Sequence, residues 1–341
     1  MYGKNQDKIW KLQHMKVLFI GGTGNISTSC SKLAIEKKID LYLLNRGKTE
    51  VEISGTTVIK SDIHNVEETK KVLANYTFDV VVNWIAYVLQ DVKNDYEIFK
   101  DKTKQYIFIS SASAYQKPLR HHIITESTPV INPFWEYSRN KIACEEWLLE
   151  KYRSNQFPVT IVRPSHTYAT ILPALIGSGR NYTIIDRMKQ GKEIIVHGDG
   201  NTLWVLTHSD DFAKGFVGLL GNYHAVGHTF HITSDEVLTW NQIYEIMAEA
   251  IGVEPKIVHI PSDFINKYDK NVGASLLGDK AYSVIFDNTK IKNFVPDYRV
   301  TIPFKEGIKK MLAWFEEKEE RKKVSKEEDE LIEKIIGEYN K

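Results

Sequence analysis

Three residues in the middle of the chain have the types and order needed for proton transfer beside a redox centre. Tyr137 and Lys141 stand four apart in Tyr137-Ser138-Arg139-Asn140-Lys141, at the start of a predicted helix. Positions four apart share a helical face, so phenol and ammonium project together. A lysine ammonium beside the phenol would lower its pKa from about 10 toward working pH and make Tyr137 a general acid or base. Such pairs are common on helix surfaces. What raises this one is Ser111, which ends an apolar strand, Tyr106 to Ser111, upstream of it.

An element near the start of the chain must position a partner for that chemistry. Lys16 to Ile20 is a short apolar run that enters Gly21-Gly22-Thr23-Gly24-Asn25-Ile26-Ser27, and a helical pattern follows to Lys38. Strand, glycine turn and helix together suit a dinucleotide pyrophosphate. Gly21 permits the sharp turn and Gly24 lets the backbone approach the phosphates. The helix N-terminus then faces them with its N–H groups. The third glycine of that pattern is replaced by Ser27.

The second strand, Leu41 to Leu44, ends at Asn45-Arg46-Gly47-Lys48. An acid there would select the ribose of NAD, whereas bases accommodate the 2′-phosphate of NADP. Arg46 and Lys48 therefore favour NADP over NAD, with a solvated turn as the plainer reading. Further strands are predicted at 58–63, 78–86, 158–164, 193–197 and 229–233, separated by helical patterns. Asp62, Ile63, Trp84 and Ala86 fall at strand ends, where ligands of parallel sheets bind. The expected fold is α/β, a Rossmann-type doubly wound parallel sheet with a smaller C-terminal α/β substrate lobe. Residues 15–165, with returning segments near 192–235, are expected to form the nucleotide-binding domain. Residues 166–191 and 236–317 would form the substrate lobe, and 318–341 a charged helical tail. Asp210 or Asp211 is expected to cap a helix beginning at Phe212, and Thr239 another. His208 reads as a hydrogen-bonded structural histidine.

Composition excludes other classes. The 341 residues are 42% hydrophobic and 26% charged, with a net charge of +1. That gives no basic field for nucleic acid or a membrane surface. Cys30 and Cys144 fit neither a disulfide framework nor a metal site. Residues 1–14 are polar and do not read as a secretory signal, and Met15 could serve as the start. The default expectation is a cytoplasmic protein whose partner is a small-molecule substrate, with a homodimer left open.

Assembled, these motifs resemble the extended short-chain dehydrogenase/reductase family of NAD(P)-dependent sugar epimerases and dehydratases, over roughly residues 15–315. The residues that carry the resemblance are Gly21-Gly22-Thr23-Gly24, Asp62-Ile63, Ser110-Ser111-Ala112-Ser113-Ala114-Tyr115, Tyr137 to Lys141, Arg163-Pro164, and Gly198-Asp199-Gly200 through His208 to Asp211. The resemblance implies an adenine contact for Asp62, a catalytic Ser111–Tyr137–Lys141 set and a place beside nicotinamide for Pro164. It also implies hydride transfer next to a substrate hydroxyl.

The chain departs from the family in several places. The Asp-Glu pair of the dehydratase branch is replaced by Ala112 and Ser113, which argues against 4,6-dehydration. The Asn45-Arg46-Gly47 turn resembles an offshoot that includes chloroplast stem-loop-binding proteins, associated with RNA. A non-catalytic, RNA-associated protein on the same scaffold is therefore a second reading. His166, Trp204 and the Ser275-Leu276 pair stand where the family holds its nucleotide diphosphate with Asn and Arg. Arg180 and Arg187 could substitute and restore a nucleotide-sugar 4-epimerase. Trp204 and His166, with Ser113, instead suggest a partly aromatic pocket for a sugar or glycoside without a nucleotide diphosphate.

Overall fold

A computed structural model of the chain describes residues 15–47, 52–177 and 179–341. Seven strands make the central sheet: β1 (Lys16–Ile20), β2 (Asp40–Asn45), β3 (Thr57–Lys60), β4 (Phe78–Asn83), β5 (Thr103–Ile109), β6 (Val159–Pro164) and β7 (Thr229–Ile232). Their order is β7-β6-β5-β4-β1-β2-β3, and every neighbouring pair is parallel. The chain reverses direction across the sheet between β1 and β4, which opens a crevice at their carboxyl ends. The strands read as near-continuous apolar runs because helices cover both faces, and Val17 to Ile20 and Val80 to Val82 are fully buried.

Lys48 and the N-terminal fourteen residues lie outside the described residues. Of the stretch 192–235, Thr229–Ile232 joins the central sheet as expected. Glu193–His197 instead pairs in parallel with Lys256–Ile260, in a separate two-stranded sheet. Alternating apolar residues identify a strand but not its partner. No helix among the described residues is long and apolar enough to cross a membrane.

Two helix starts separate the expectations. Thr239 caps the helix Trp240–Ala250 through a reciprocal bond with Gln242. The helix expected at Phe212 begins at Ser209, and its cap is His208, whose Nδ1 accepts from the Asp210 N–H. Asp211 does not cap it. Its carboxylate is buried and accepts from the N–H groups of Thr301 and Ile302 and from Lys214.

The charged tail is a packed element. Helix Lys326–Tyr339 buries Ile332, Ile335 and Ile336, and its Asp329 and Glu333 meet the guanidinium of Arg187. Arg187 also donates to the Glu193 carbonyl.

The end of β4 is set by a buried carboxyl. Asp95 Oδ2 accepts from Asn83 Nδ2 and Tyr106 Oη, both at 2.5 Å, while Asn83 Oδ1 takes the Ile85 N–H. Burial raises the Asp95 pKa from 3.8 to about 7. The folded protein thus keeps a proton that the unfolded chain has lost. This group's contribution to stability should fall as pH rises from about 4 to about 7, and then level. Asp95→Asn should flatten that slope in urea unfolding measured from pH 4.5 to 8. Both donors share Oδ2, so the amide oxygen can serve them. An unchanged slope would contradict the assignment.

Candidate active site

The glycine turn after β1 has the backbone its sequence implies. Gly21 and Gly22 have φ of +93° and +104°, and a Cβ on Gly22 would lie 2.7 Å from Leu43 Cδ2. At that φ a side chain would be strained, and its Cβ would also displace the Leu43 side chain, so glycine is favoured there. Gly24 meets nothing but Ser27 Oγ. Helix Ser27–Glu36 has no side-chain cap at its N-terminal residue Ile26. This open cradle fits a pyrophosphate. Ser27, in place of the third glycine, has a role of its own: its Oγ accepts the Gly24 N–H at 2.8 Å. The Asn25 side chain turns toward the other lobe, donating to the Thr167 carbonyl and accepting from the Thr170 N–H, both at 2.9 Å. Thr23 and Ile26 complete the turn on its exposed and helical sides.

Around the expected adenosine end, Asn45 Oδ1 accepts the Gly47 N–H. Arg46 is exposed, with its guanidinium 4.0 Å from the Asp62 carboxylate. Hydrogen bonds from His64, followed by weaker attraction from His64 and Arg46, hold the Asp62 pKa below its usual value. Ile63 is buried in the core under this corner and presents no side chain to the crevice. Trp84 packs edge-on against Phe19 and beneath the Gly21 turn, so its ring is support rather than contact surface.

Lys141, which is 2% exposed, joins the two strand ends. Its ammonium donates to the carbonyls of Ala86 at 2.6 Å and Ile109 at 2.9 Å. An ammonium has three N–H donors, so one remains for a ribose hydroxyl. It also lies 4.7 Å from the Tyr87 ring centroid and 5.8 Å from that of Tyr137. Burial lowers its pKa to about 8. Ser111 caps the short turn Ala112–Ala114, and its hydroxyl lies close enough to the Tyr137 phenol to favour the ionised form. Behind it, Ser138 Oγ donates to Ser113 Oγ at 2.8 Å, and Ser113 Oγ lies 2.9 Å from Ser111 Oγ.

The expected lowering of the Tyr137 pKa by Lys141 is not what this geometry gives. Burial raises it to about 12, Ser111 opposes, and Tyr87 and Asp279 add to the rise. The ammonium is spent on two carbonyls and sits off the phenol oxygen. Pro164 closes β6, opposite Ile232. Before it, Arg163 forms a buried two-pronged pair with Glu145.

The expected aromatic pocket also changes. Trp204 is 2% exposed, packs on Trp240 at 5.4 Å between centroids, and donates through Nε1 to His166 Nδ1 at 3.1 Å. It offers no free face for stacking. His166 is half-buried, and burial followed by the Lys280 charge lowers its pKa to about 3. Arg187 is committed to the tail and cannot serve a diphosphate, while Arg180 is exposed.

Sequence reading missed Asn132. It is buried, and its Nδ2 donates to the Ser113 and Gly278 carbonyls at 2.9 and 2.7 Å. Its Oδ1 accepts the N–H groups of Phe134 and Trp135. It thereby fixes the serine turn, the entry to the Tyr137 helix and the facing lobe together. No local pattern announces a residue whose partners lie 146 positions away.

With this geometry in view, residues 17–233 match the family model described as NAD dependent epimerase/dehydratase family. The chain belongs to that family. It is an enzyme of the extended short-chain dehydrogenase/reductase type. The chloroplast stem-loop binding protein of 41 kDa b from Arabidopsis thaliana is 28% identical over 73% of this chain and 67% of its own length. A 2′-dehydrokanamycin reductase from Streptomyces kanamyceticus is 21% identical over 84% and 80%. The fold is also that of the Thermus thermophilus UDP-glucose 4-epimerase solved in complex with NAD. There the TM-score is 0.70 and the identity 17%, over 89% of this chain and 99% of that one.

Among the described residues no group of three His, Cys, Asp or Glu could hold a metal. Removing Asn132 should be costly. Asn132→Ala takes the donor from two buried carbonyls and the acceptor from two half-buried N–H groups, and should lower unfolding free energy by about 2–4 kcal/mol in urea. A loss below about 0.5 kcal/mol would mean the junction is held elsewhere.

Proposed function

We propose that this protein is an NAD(P)-dependent oxidoreductase or epimerase acting at a hydroxyl-bearing carbon of a sugar, sugar derivative or similar polyol, with Tyr137 as its acid/base. The observation that carries the reading is that Ser111 and Lys141 both lie beside the Tyr137 phenol, at the carboxyl ends of β4 and β5. When bound, NAD(P) would supply or accept hydride at the nicotinamide ring. Gly21, Thr23, Gly24, Asn25 and Ile26 would hold its pyrophosphate. Asn45, Arg46, Asp62 and the Ile63 backbone would line its adenosine end, and Ala86, Pro164 and the Trp84 backbone would flank the remainder.

The chain's own part is proton movement and charge stabilisation. At neutral pH a phenol with a pKa near 12 keeps its proton, so Tyr137 is poised to donate to a carbonyl oxygen being reduced. Ser111 donates to the oxygen on which negative charge develops. Lys141 holds a ribose hydroxyl with its third N–H. Elimination of water is not part of the reading, because Ala112 and Ser113 supply no carboxyl.

We favour a substrate without a nucleotide diphosphate. The burial of Arg187 removes one of the two arginines that could replace the missing cations, and one relative is named a 2′-dehydrokanamycin reductase rather than for a nucleotide sugar.

Two variants test these roles. Tyr137→Phe should abolish turnover and leave cofactor affinity within about threefold, since the ribose contact belongs to Lys141. Full activity in that variant would move the chemistry elsewhere. Arg46→Ala should weaken NADP by about tenfold and spare NAD in fluorescence titrations. Wild-type protein that binds NAD at least as tightly as NADP would refute the preference.

A further inference from the structure

The wall facing Tyr137 carries a positive charge that neither the proton-transfer set nor the cofactor cradle uses. Residues Leu276–Lys280 form a single π-helical turn, a rare geometry often found at functional sites. It is pinned to the helix that bears Tyr137. Asn132 donates to the Gly278 carbonyl, and a Cβ on Gly278 would come 2.7 Å from Trp135 Cβ. At the end of this turn the Lys280 ammonium lies 5.4 Å from the Trp135 ring centroid, and that ring lies 4.9 Å from the ring of Tyr137. Lys280 is therefore two aromatic contacts from the acid/base.

Among the described residues no carboxylate lies within 4.0 Å of the Lys280 ammonium; the neighbouring Asp279 faces Lys117 instead, at 3.4 Å. Lys117 is almost fully buried and its ammonium has no hydrogen-bond acceptor. Two lysines thus face one carboxylate. A neighbouring polar group, His166, is a donor as well. An indole N–H only donates, so His166 Nδ1 must accept from Trp204, and the neutral ring carries its proton on Nε2. A half-buried ammonium that shares its nearest carboxylate with a second, buried lysine is under-compensated, and a ligand anion offsets that cost through charge-assisted hydrogen bonds.

We propose that Lys280 is a substrate-specificity residue that takes an acidic group, a carboxylate or a phosphate monoester, carried on the same small hydroxylated molecule whose hydroxyl faces Tyr137. The proposal rests on the oxidoreductase reading for its choice of reacting group. It narrows the substrate class to sugar acids or sugar phosphates.

Calorimetry on the full chain loaded with NAD(P) tests it, with glucose, glucuronate, glucose 6-phosphate and UDP-glucose as ligands. At least one of the two small acids should bind about tenfold or more tightly than glucose. Which of them does so distinguishes carboxylate from phosphate. Lys280→Gln should reduce that acid to the affinity of glucose, Lys280→Arg should retain most of it, and cofactor affinity should be the same in all three proteins. Glucose binding as tightly as both acids would overturn the proposal, as would undiminished acid binding by Lys280→Gln. Binding of UDP-glucose alone, or of none of the four, would also overturn it. If the protein takes up no cofactor, the oxidoreductase reading fails. The same titrations without cofactor then still decide whether Lys280 selects an acid.

Discussion

The site depends on the two hydrogen bonds that Lys141 gives to the carbonyls of Ala86 and Ile109. A parallel sheet leaves its last carbonyls unpaired at the carboxyl edge, and leaving such groups unsatisfied in a buried place is expensive. One buried ammonium serves the ends of two adjacent strands. In doing so it fixes the helix Glu136–Asn155 against the sheet at the turn where Tyr137 projects. The same contacts explain why Lys141 tolerates burial, and why its charge is less available to the phenol than spacing alone suggests.

The rest of the crevice is built outward from that anchor. Asp95 and Asn83 shape the loop after β4 whose Ala86 carbonyl Lys141 needs. Asn132 sets the serine turn and the helix entry, and reaches across to Gly278. Ser138, on the helix itself, donates into the Ser113–Ser111 pair. Each link satisfies buried polar groups on two elements at once, so rigidity and hydrogen-bond satisfaction come from the same residues. The glycine turn after β1 is tied across the crevice by Asn25, which bonds Thr167 and Thr170.

Much of this was legible in the chain because it is local. The glycine turn, the strand ends at Asp62 and Ser111, and the Tyr137–Lys141 spacing are each written within a few residues, and periodicity places them on strands or a helix. Other features depend on distant partners and leave no local trace. Arg187 looked available for a phosphate, yet residues 142 and 146 positions later bury it. Trp204 looked like a stacking surface, yet Trp240 and His166 cover it. The strand Glu193–His197 was visible, but not its pairing with Lys256–Ile260. The helix start at His208 went unrecognised: of the two expected caps, Asp210 lies inside the helix and Asp211 is held by Thr301 and Ile302. Electrostatics were the least legible: spacing suggests that Lys141 lowers the Tyr137 pKa, whereas burial of the phenol raises it.

The central claim is that the crevice at the carboxyl ends of β1, β4 and β5 holds a dinucleotide whose redox state is coupled to a substrate hydroxyl. The most direct measurement mixes the purified protein with stoichiometric reduced nicotinamide dinucleotide and a panel of sugar-derived ketones, and follows reduced-nicotinamide absorbance. The account predicts saturable binding of one dinucleotide per chain and loss of that absorbance with at least one ketone. Failure to bind either NADH or NADPH would contradict it.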